Sequence, residues 1–138
     1  FLFILVLALA GCTNPKGPIG GDSPEHLRTL FLAYHKDKDM DNMMRLFNME
    51  SVTKEIVNLQ KRQLKTMFDM ALQGVQIEPM DQAARAHFNS EIKTHGQTIG
   101  YNTYVDGQLT ANYAGNRAEA LLFGKKDERY YFALHIYK

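Results

Sequence analysis

Five histidines, a single cysteine and one run of alternating acids are the side chains here whose types and spacing could do chemistry. The histidines are His26, His35, His87, His95 and His135. None stands in a His-Glu-x-x-His pair, and the lone thiol of Cys12 cannot complete a zinc set with them, so no metal is expected. His26 and His35 read as surface residues on or just after a first helix. His87 and His135 are the two candidates for a pocket base, His87 on a helix face near a sheet and His135 in a final strand. Asp37-Lys38-Asp39-Met40-Asp41-Asn42 spaces carboxylates as a calcium loop does. Asn42 takes the place of the turn glycine, however, and Asn48 that of the closing glutamate, so the run reads as an acidic, capped interhelical loop. Seven methionines at helical spacing read as core filler. No glycine-rich phosphate loop, nucleophile elbow or paired-acid motif is present, and no cofactor is expected.

The elements that must position these groups begin with a greasy run. Residues 1–10, FLFILVLALA, are all apolar. As a helix they would rise about 15 Å, half a hydrocarbon core. That is short for a membrane span and right for the apolar region of a signal peptide. The chain opens at Phe1 with no Met and no basic segment, which predicts a start that lies upstream. Leu9-Ala10-Gly11-Cys12 resembles the lipobox of bacterial lipoproteins. The resemblance implies cleavage between Gly11 and Cys12, a diacylglycerol on the Cys12 thiol and often an acyl chain on the new amino group. Each buried acyl CH₂ contributes about 0.8 kcal/mol, so two or three chains anchor the protein to a membrane. With Thr13 and Asn14 after the cysteine, and no Asp, the resemblance favours the outer membrane of a Gram-negative envelope, facing the periplasm.

Residues 13–23, TNPKGPIGGDS, carry three glycines and two prolines and read as a flexible tether of root-mean-square span about 18 Å. The organisation expected is a signal peptide over 1–11, a lipidated cysteine and tether over 12–23, and one domain over 24–138. Sixteen basic residues against fifteen acidic ones give no field to attract nucleic acid or anionic lipid.

Within the domain, Ser23-Pro24-Glu25 starts a helix whose face is Leu27, Leu30, Phe31 and Tyr34. Asp39 or Asp41 caps a second helix with Met40, Met43, Met44 and Phe47 inward. Ser51 opens the longest helix, which the stripe through Leu64, Phe68, Leu72 and Val75 carries to Gly74. Val75 and Ile77 also suit a short strand before Pro79. Asp81 caps a fourth helix to Gly96, with strand the alternative for 83–93. From Thr98 the period becomes two. Asp106-Gly107 predicts a hairpin joining a strand through Tyr101 and Val105 to one over Leu109–Tyr113. Ala118–Phe123, a polar turn over Gly124–Glu128, and one strand over Arg129–Tyr137 complete the chain. Helices followed by an antiparallel sheet make the class α+β, with N-terminal helices packed on a curved antiparallel sheet of about four strands.

That order, carried by Leu27–Tyr34, Asp39–Phe47, the helix after Ser51 and the tail Ala118-Glu119-Ala120 to Tyr137, resembles the cone-shaped superfamily of nuclear transport factor two, ketosteroid isomerase and SnoaL-type cyclases. The resemblance implies a pocket between the helices and a concave sheet. The expected function is a non-enzymatic envelope lipoprotein, anchored to the membrane, that binds a small apolar ligand or an envelope protein. The alternative is a small isomerase or hydrolase using His87 or His135 in the cavity.

Overall fold

The computed structural model describes residues 17–137. Gly11 and Cys12, with the expected signal peptide, cleavage site and lipidation, lie outside the described residues.

Helix α1 spans Pro24–Lys36, and its start is the one expected: the Ser23 hydroxyl accepts from the His26 N–H at 3.0 Å, with proline at the first helical position. Leu27, Phe31 and His35 recur every four residues and face inward. His35 is the surprise, since the sequence placed it at the surface. Asp39 caps α2 (Met40–Met44), and Phe47 follows as a β-bridge to Phe132. Helix α3 is shorter than expected, Lys54–Phe68, and Thr53 rather than Ser51 caps it. The stretch from Leu72 to Gly74, read as its last turn, belongs to strand β1 (Leu72–Pro79), which holds the short strand expected at Val75 and Ile77 before Pro79 and is bulged between Leu72 and Gly74. Pairing with β4 (Gly107–Tyr113) overrides the helical spacing of Leu72 and Val75.

Asp81 caps α4 (Gln82–Asn89), accepting from the Ala84 N–H at 2.7 Å. The helix ends early, and Ile92 belongs to strand β2 (Ile92–Thr94). It is joined to β3 (Gln97–Tyr101) through the left-handed residues His95 and Gly96. Strands β4, β5 (Arg117–Lys126), β6 (Arg129–Phe132) and β7 (His135–Tyr137) follow. Their turns are Gly115-Asn116 and Asp127-Glu128, both with positive φ. Asp106-Gly107 is not a hairpin. Strand β3 pairs with β2 and β7, and residues 102–106 instead cross to the far end of β5, where the Asp106 N–H donates to the Phe123 carbonyl at 2.9 Å. Gly124 lies inside β5, not in a turn, because its missing side chain lets this crossing strap lie on the strand.

The class is α+β. A four-stranded antiparallel sheet runs β1-β4-β5-β6, and a three-stranded one runs β2-β3-β7. Only Ala133 and Leu134 separate β6 from β7, so the two sheets share one broken strand. Leu27, Phe31, Met43, Phe47, Leu64, Met67, Leu109, Tyr113 and Phe132 fill the core between the helices and the larger sheet, the methionines as filler.

The expected tether is docked over its second half. Ile19 and Gly20 donate N–H groups to the Arg45 carbonyl, and Gly21 exchanges two 2.8 Å backbone bonds with Tyr130. Arg129 clamps the segment: Nε donates to the Ile19 carbonyl at 2.5 Å, Nη2 to that of Gly20 at 3.3 Å and Nη1 to Asp22 Oδ1 at 2.5 Å. The glycines that suggested a linker serve here as close-approach residues. A Cβ on Gly20 would meet the Tyr130 carbonyl at 2.5 Å, and one on Gly21 the Leu27 nitrogen at 2.7 Å. Arg129→Ala should cost about 1–2 kcal/mol by stranding these carbonyls. It should also speed hydrogen exchange at the Gly21 amide; an unchanged exchange rate there would show that the clamp holds nothing.

Candidate functional site

The site follows from how the shared strand breaks. Along β5 the odd-numbered residues bond toward β4, as the Asp106-to-Phe123 bond shows. The even-numbered ones turn to the other side, where the Leu122 carbonyl accepts from the Ala133 N–H at 2.8 Å. Past that bond the ladder stops. The Leu134 carbonyl accepts from Asn102, Ile136 pairs with Gly100, and β7 follows β3 away from β5. The edge of β5 at Ala118 and Ala120 and the outer edge of β7 at His135 and Tyr137 are therefore left without a neighbouring strand, and a cleft opens between Ala120 and His135. Among the described residues no strand pairs with either edge.

An asparagine network fixes the break. Asn102 Oδ1 accepts from the Leu134 N–H at 2.9 Å, while its Nδ2 donates to the Asn48 and Glu50 carbonyls. Asn48 Nδ2 returns a bond to the Asn102 carbonyl at 3.1 Å and another to Thr103 Oγ1 at 2.9 Å. Buried amides that are satisfied on both ends rigidify a junction. These two asparagines carried no signal in the sequence, because the partners that fix the junction are more than thirty residues away.

A cleft of about 220 Å³ lies in the gap. Three consecutive residues from each strand line it, 120–122 and 133–135, which happens where strand edges border a cavity, since alternate residues point to opposite faces. Helix α3 roofs it with Ile56, Leu59, Gln60 and Gln63, and Tyr101 closes one end. Leu59 is 55% exposed at the mouth. The Gln60 amide donates to the Gln63 carbonyl oxygen at 3.3 Å, a neutral polar pair. The His135 ring stands edge-on to Tyr101 with centroids 4.3 Å apart. Desolvation lowers the His135 pKa and raises that of Tyr101, so both rings are neutral at pH 7.

Of the two histidines proposed from sequence, His135 lines the cleft and His87 does not. His87 lies exposed on α4 against Phe88. The cleft lining contains no carboxylate, lysine, arginine or nucleophile to work with His135. Among the described residues no group of three His, Cys, Asp or Glu side chains is placed to hold a metal, and Asp39 of the acidic loop serves as the α2 cap.

The buried titratable cluster is elsewhere. His35 Nε2 lies 3.0 Å from the Met67 carbonyl and 3.1 Å from Tyr113 Oη, enclosed by the rings of Phe31 and Phe68. A carbonyl only accepts, so Nε2 carries the proton and donates to Met67. Burial pushes the His35 pKa down, against the pull of the Met67 bond, and nearby Lys38 lowers it further. Tyr113 is pushed up to about 12 by burial, with Glu119 adding to the rise. This cluster ties α1, α3 and β4 together and shares no residue with the cleft lining.

No family model and no curated protein matches the sequence. Among solved structures, the chain is similar to one from Thiobacillus denitrificans described as a calcium/calmodulin-dependent protein kinase type II association domain. The likeness has 13% identity, covers 90% of this chain and 97% of that one, and gives a TM-score of 0.40.

Proposed function

We propose that the protein is a lipid-anchored envelope lipoprotein whose α+β domain, of the cone-shaped kind, binds a small uncharged ligand in the cleft under α3. The observation that carries the binding reading is the lining: an apolar mouth at Leu59, a neutral amide pair at Gln60 and Gln63, and a neutral imidazole, with no ionised group among them. Few polar groups converging in an apolar concavity are what orient a small ligand. The same lining disfavours catalysis by His135, which has no acid to orient it and no nucleophile to activate. The anchor reading rests on Leu9-Ala10-Gly11-Cys12.

Each half has its test. Cells fed a clickable fatty acid should label the wild-type chain and lose the label with Cys12→Ser; label that persists sinks the anchor. The neutral fluorophore N-phenyl-1-naphthylamine should bind the full chain with enhanced emission. Leu59→Glu, at a site already half in water, should weaken that binding by at least about tenfold, or 1.4 kcal/mol. Equal binding by the variant would remove the cleft from consideration.

A further inference from the structure

We propose that the split in the sheet accepts an extended, uncharged peptide segment, which adds as a strand between β5 and β7. The proposal rests on the reading of the cleft as a binding site and names the class of its ligand.

Both rims of the split present strand edges. On one, Ala118 and Ala120 offer N–H and C=O groups; on the other, His135 and Tyr137 do the same. The open edge of β5 runs from Ala118 to Ala120, two residue steps or about 7 Å, and stops at Leu122, whose carbonyl the Ala133 N–H already takes. An isolated apolar molecule would leave these donors and acceptors facing it unpaired, at a cost of about 1–3 kcal/mol for each group it shut off from water. A peptide backbone is the ligand that matches them, since its own donors and acceptors repeat at the strand spacing. Strands β5 and β7 run in opposite directions, because β6 is antiparallel to β5 and continues into β7. An inserted strand is thus antiparallel to one rim and parallel to the other, and both ladders are allowed.

The lining says what the side chains must be. With no Asp, Glu, Lys or Arg in the cleft, a charged residue on the inserted segment would lose its hydration without gaining a partner. Small and β-branched residues fit under Gln60, Gln63 and Leu59, and the two amides can take up a threonine hydroxyl or a main-chain group at the mouth. The asparagine junction at Asn48 and Asn102 keeps β7 from closing onto β5, so the site stands open before a ligand arrives.

The test uses the full chain and a capped pentapeptide, acetyl-Val-Thr-Val-Thr-Val-amide, followed by amide hydrogen exchange. The expected result is at least tenfold slower exchange at Ala118, Ala120, His135 and Tyr137 with saturating peptide. The same peptide N-methylated at alternate residues keeps the side chains but loses the donors of one edge, and should bind at least tenfold more weakly. Ala120→Pro removes one rim N–H that the β4 ladder does not use, so the sheet survives and affinity falls. If the N-methylated peptide binds as well as the parent, or exchange at the four amides is unmoved, the strand proposal is overturned. If N-phenyl-1-naphthylamine still binds in that case, only the ligand class is wrong; if it does not bind either, the cleft reading falls too. Self-association of the chain that the peptide fails to displace would give the edge to a second copy and also overturn the proposal.

Discussion

His35→Ala should destabilise the protein by about 2–4 kcal/mol, seen as a lower urea midpoint at pH 7 with an unchanged slope. Two costs combine. The ring packs against Phe31, Phe68 and Tyr113, and its removal leaves a cavity where α1, α3 and β4 meet. The Met67 carbonyl and the Tyr113 hydroxyl also lose their buried partner. His35→Gln, which can still donate to Met67, should recover part of the loss. The pair of variants separates the two costs. Indifference to both would mean that the cluster does not hold the helices to the sheet.

The same residue sets a pH dependence. Its folded pKa lies below the ordinary 6.5, so on acidification the unfolded chain takes up a proton that the folded chain refuses. Stability is therefore complete above about pH 7 and falls as pH drops from there through the lowered pKa. His135 acts in the same direction. His35→Gln should flatten the decline between about pH 7 and 5 without abolishing it, since His135 still titrates. A mutant curve parallel to the wild-type one would assign the slope to other groups.

Gly124→Ala is the second large effect. A methyl there would run into the Tyr104 carbonyl oxygen, with Thr103 Cγ2 only 2.8 Å away. Both contacts come from the strap that crosses β5, and neither is the loose end of a long side chain. The strap is also held by the Asp106-to-Phe123 bond and by the Lys125 N–H donating to Asp106 Oδ2 at 3.2 Å. It cannot lift without breaking them, so the expected cost is about 3 kcal/mol, at the upper end for an overpacked site. Gly74→Ala is the control: it lies in the bulge of β1, and a Cβ there meets nothing. Thermal unfolding should place the two variants roughly 10 °C or more apart, taking about 4–8 °C per kcal/mol for a domain of this size. Coincident transitions would show that the strap yields freely.

Caps and local periodicity were legible in the sequence because their physics is local. Ser23 and Asp81 cap the helices they were expected to cap, Asp39 is the one of the two candidate aspartates that caps the second, and the class and the inward methionines followed from spacing alone. What was not legible depends on partners far along the chain. Val75 and Ile77 read as a short strand ending at Pro79, but Leu72 satisfies a helical stripe, and only the pairing of β1 with β4 turns it into strand. Asp106-Gly107 is an ordinary hairpin pair whose flanking strands turn out to belong to different sheets. Gly20 and Gly21 read as slack because nothing local reveals Arg129, more than a hundred residues on. His35 sits among polar neighbours, so its burial shows only once Tyr113 and Phe68 close around it. Of the site, His135 was visible as a strand histidine. The open edges beside it were not, because a missing ladder leaves no trace in side-chain spacing.

The Arg129 clamp has a geometric consequence for a tethered protein. From Cys12 to Ile19 is seven residue steps, which span at most about 25 Å however the chain runs. A folded domain of this length has a radius of gyration of about 13 Å and is itself roughly 35 Å across. With Cys12 acylated, the tether is thus shorter than the body it carries, and it leaves from one fixed point beside β6. In the lipid-anchored protein proposed above, the domain would be moored at that corner and could not roll freely, and the edge carrying Arg45 and Arg129 would stay turned toward the lipid. Orientation at the membrane would then depend on the Arg129 guanidinium together with the backbone bonds of Ile19, Gly20 and Gly21. Releasing them would lengthen the tether by the docked residues and let the cleft sweep a wider arc.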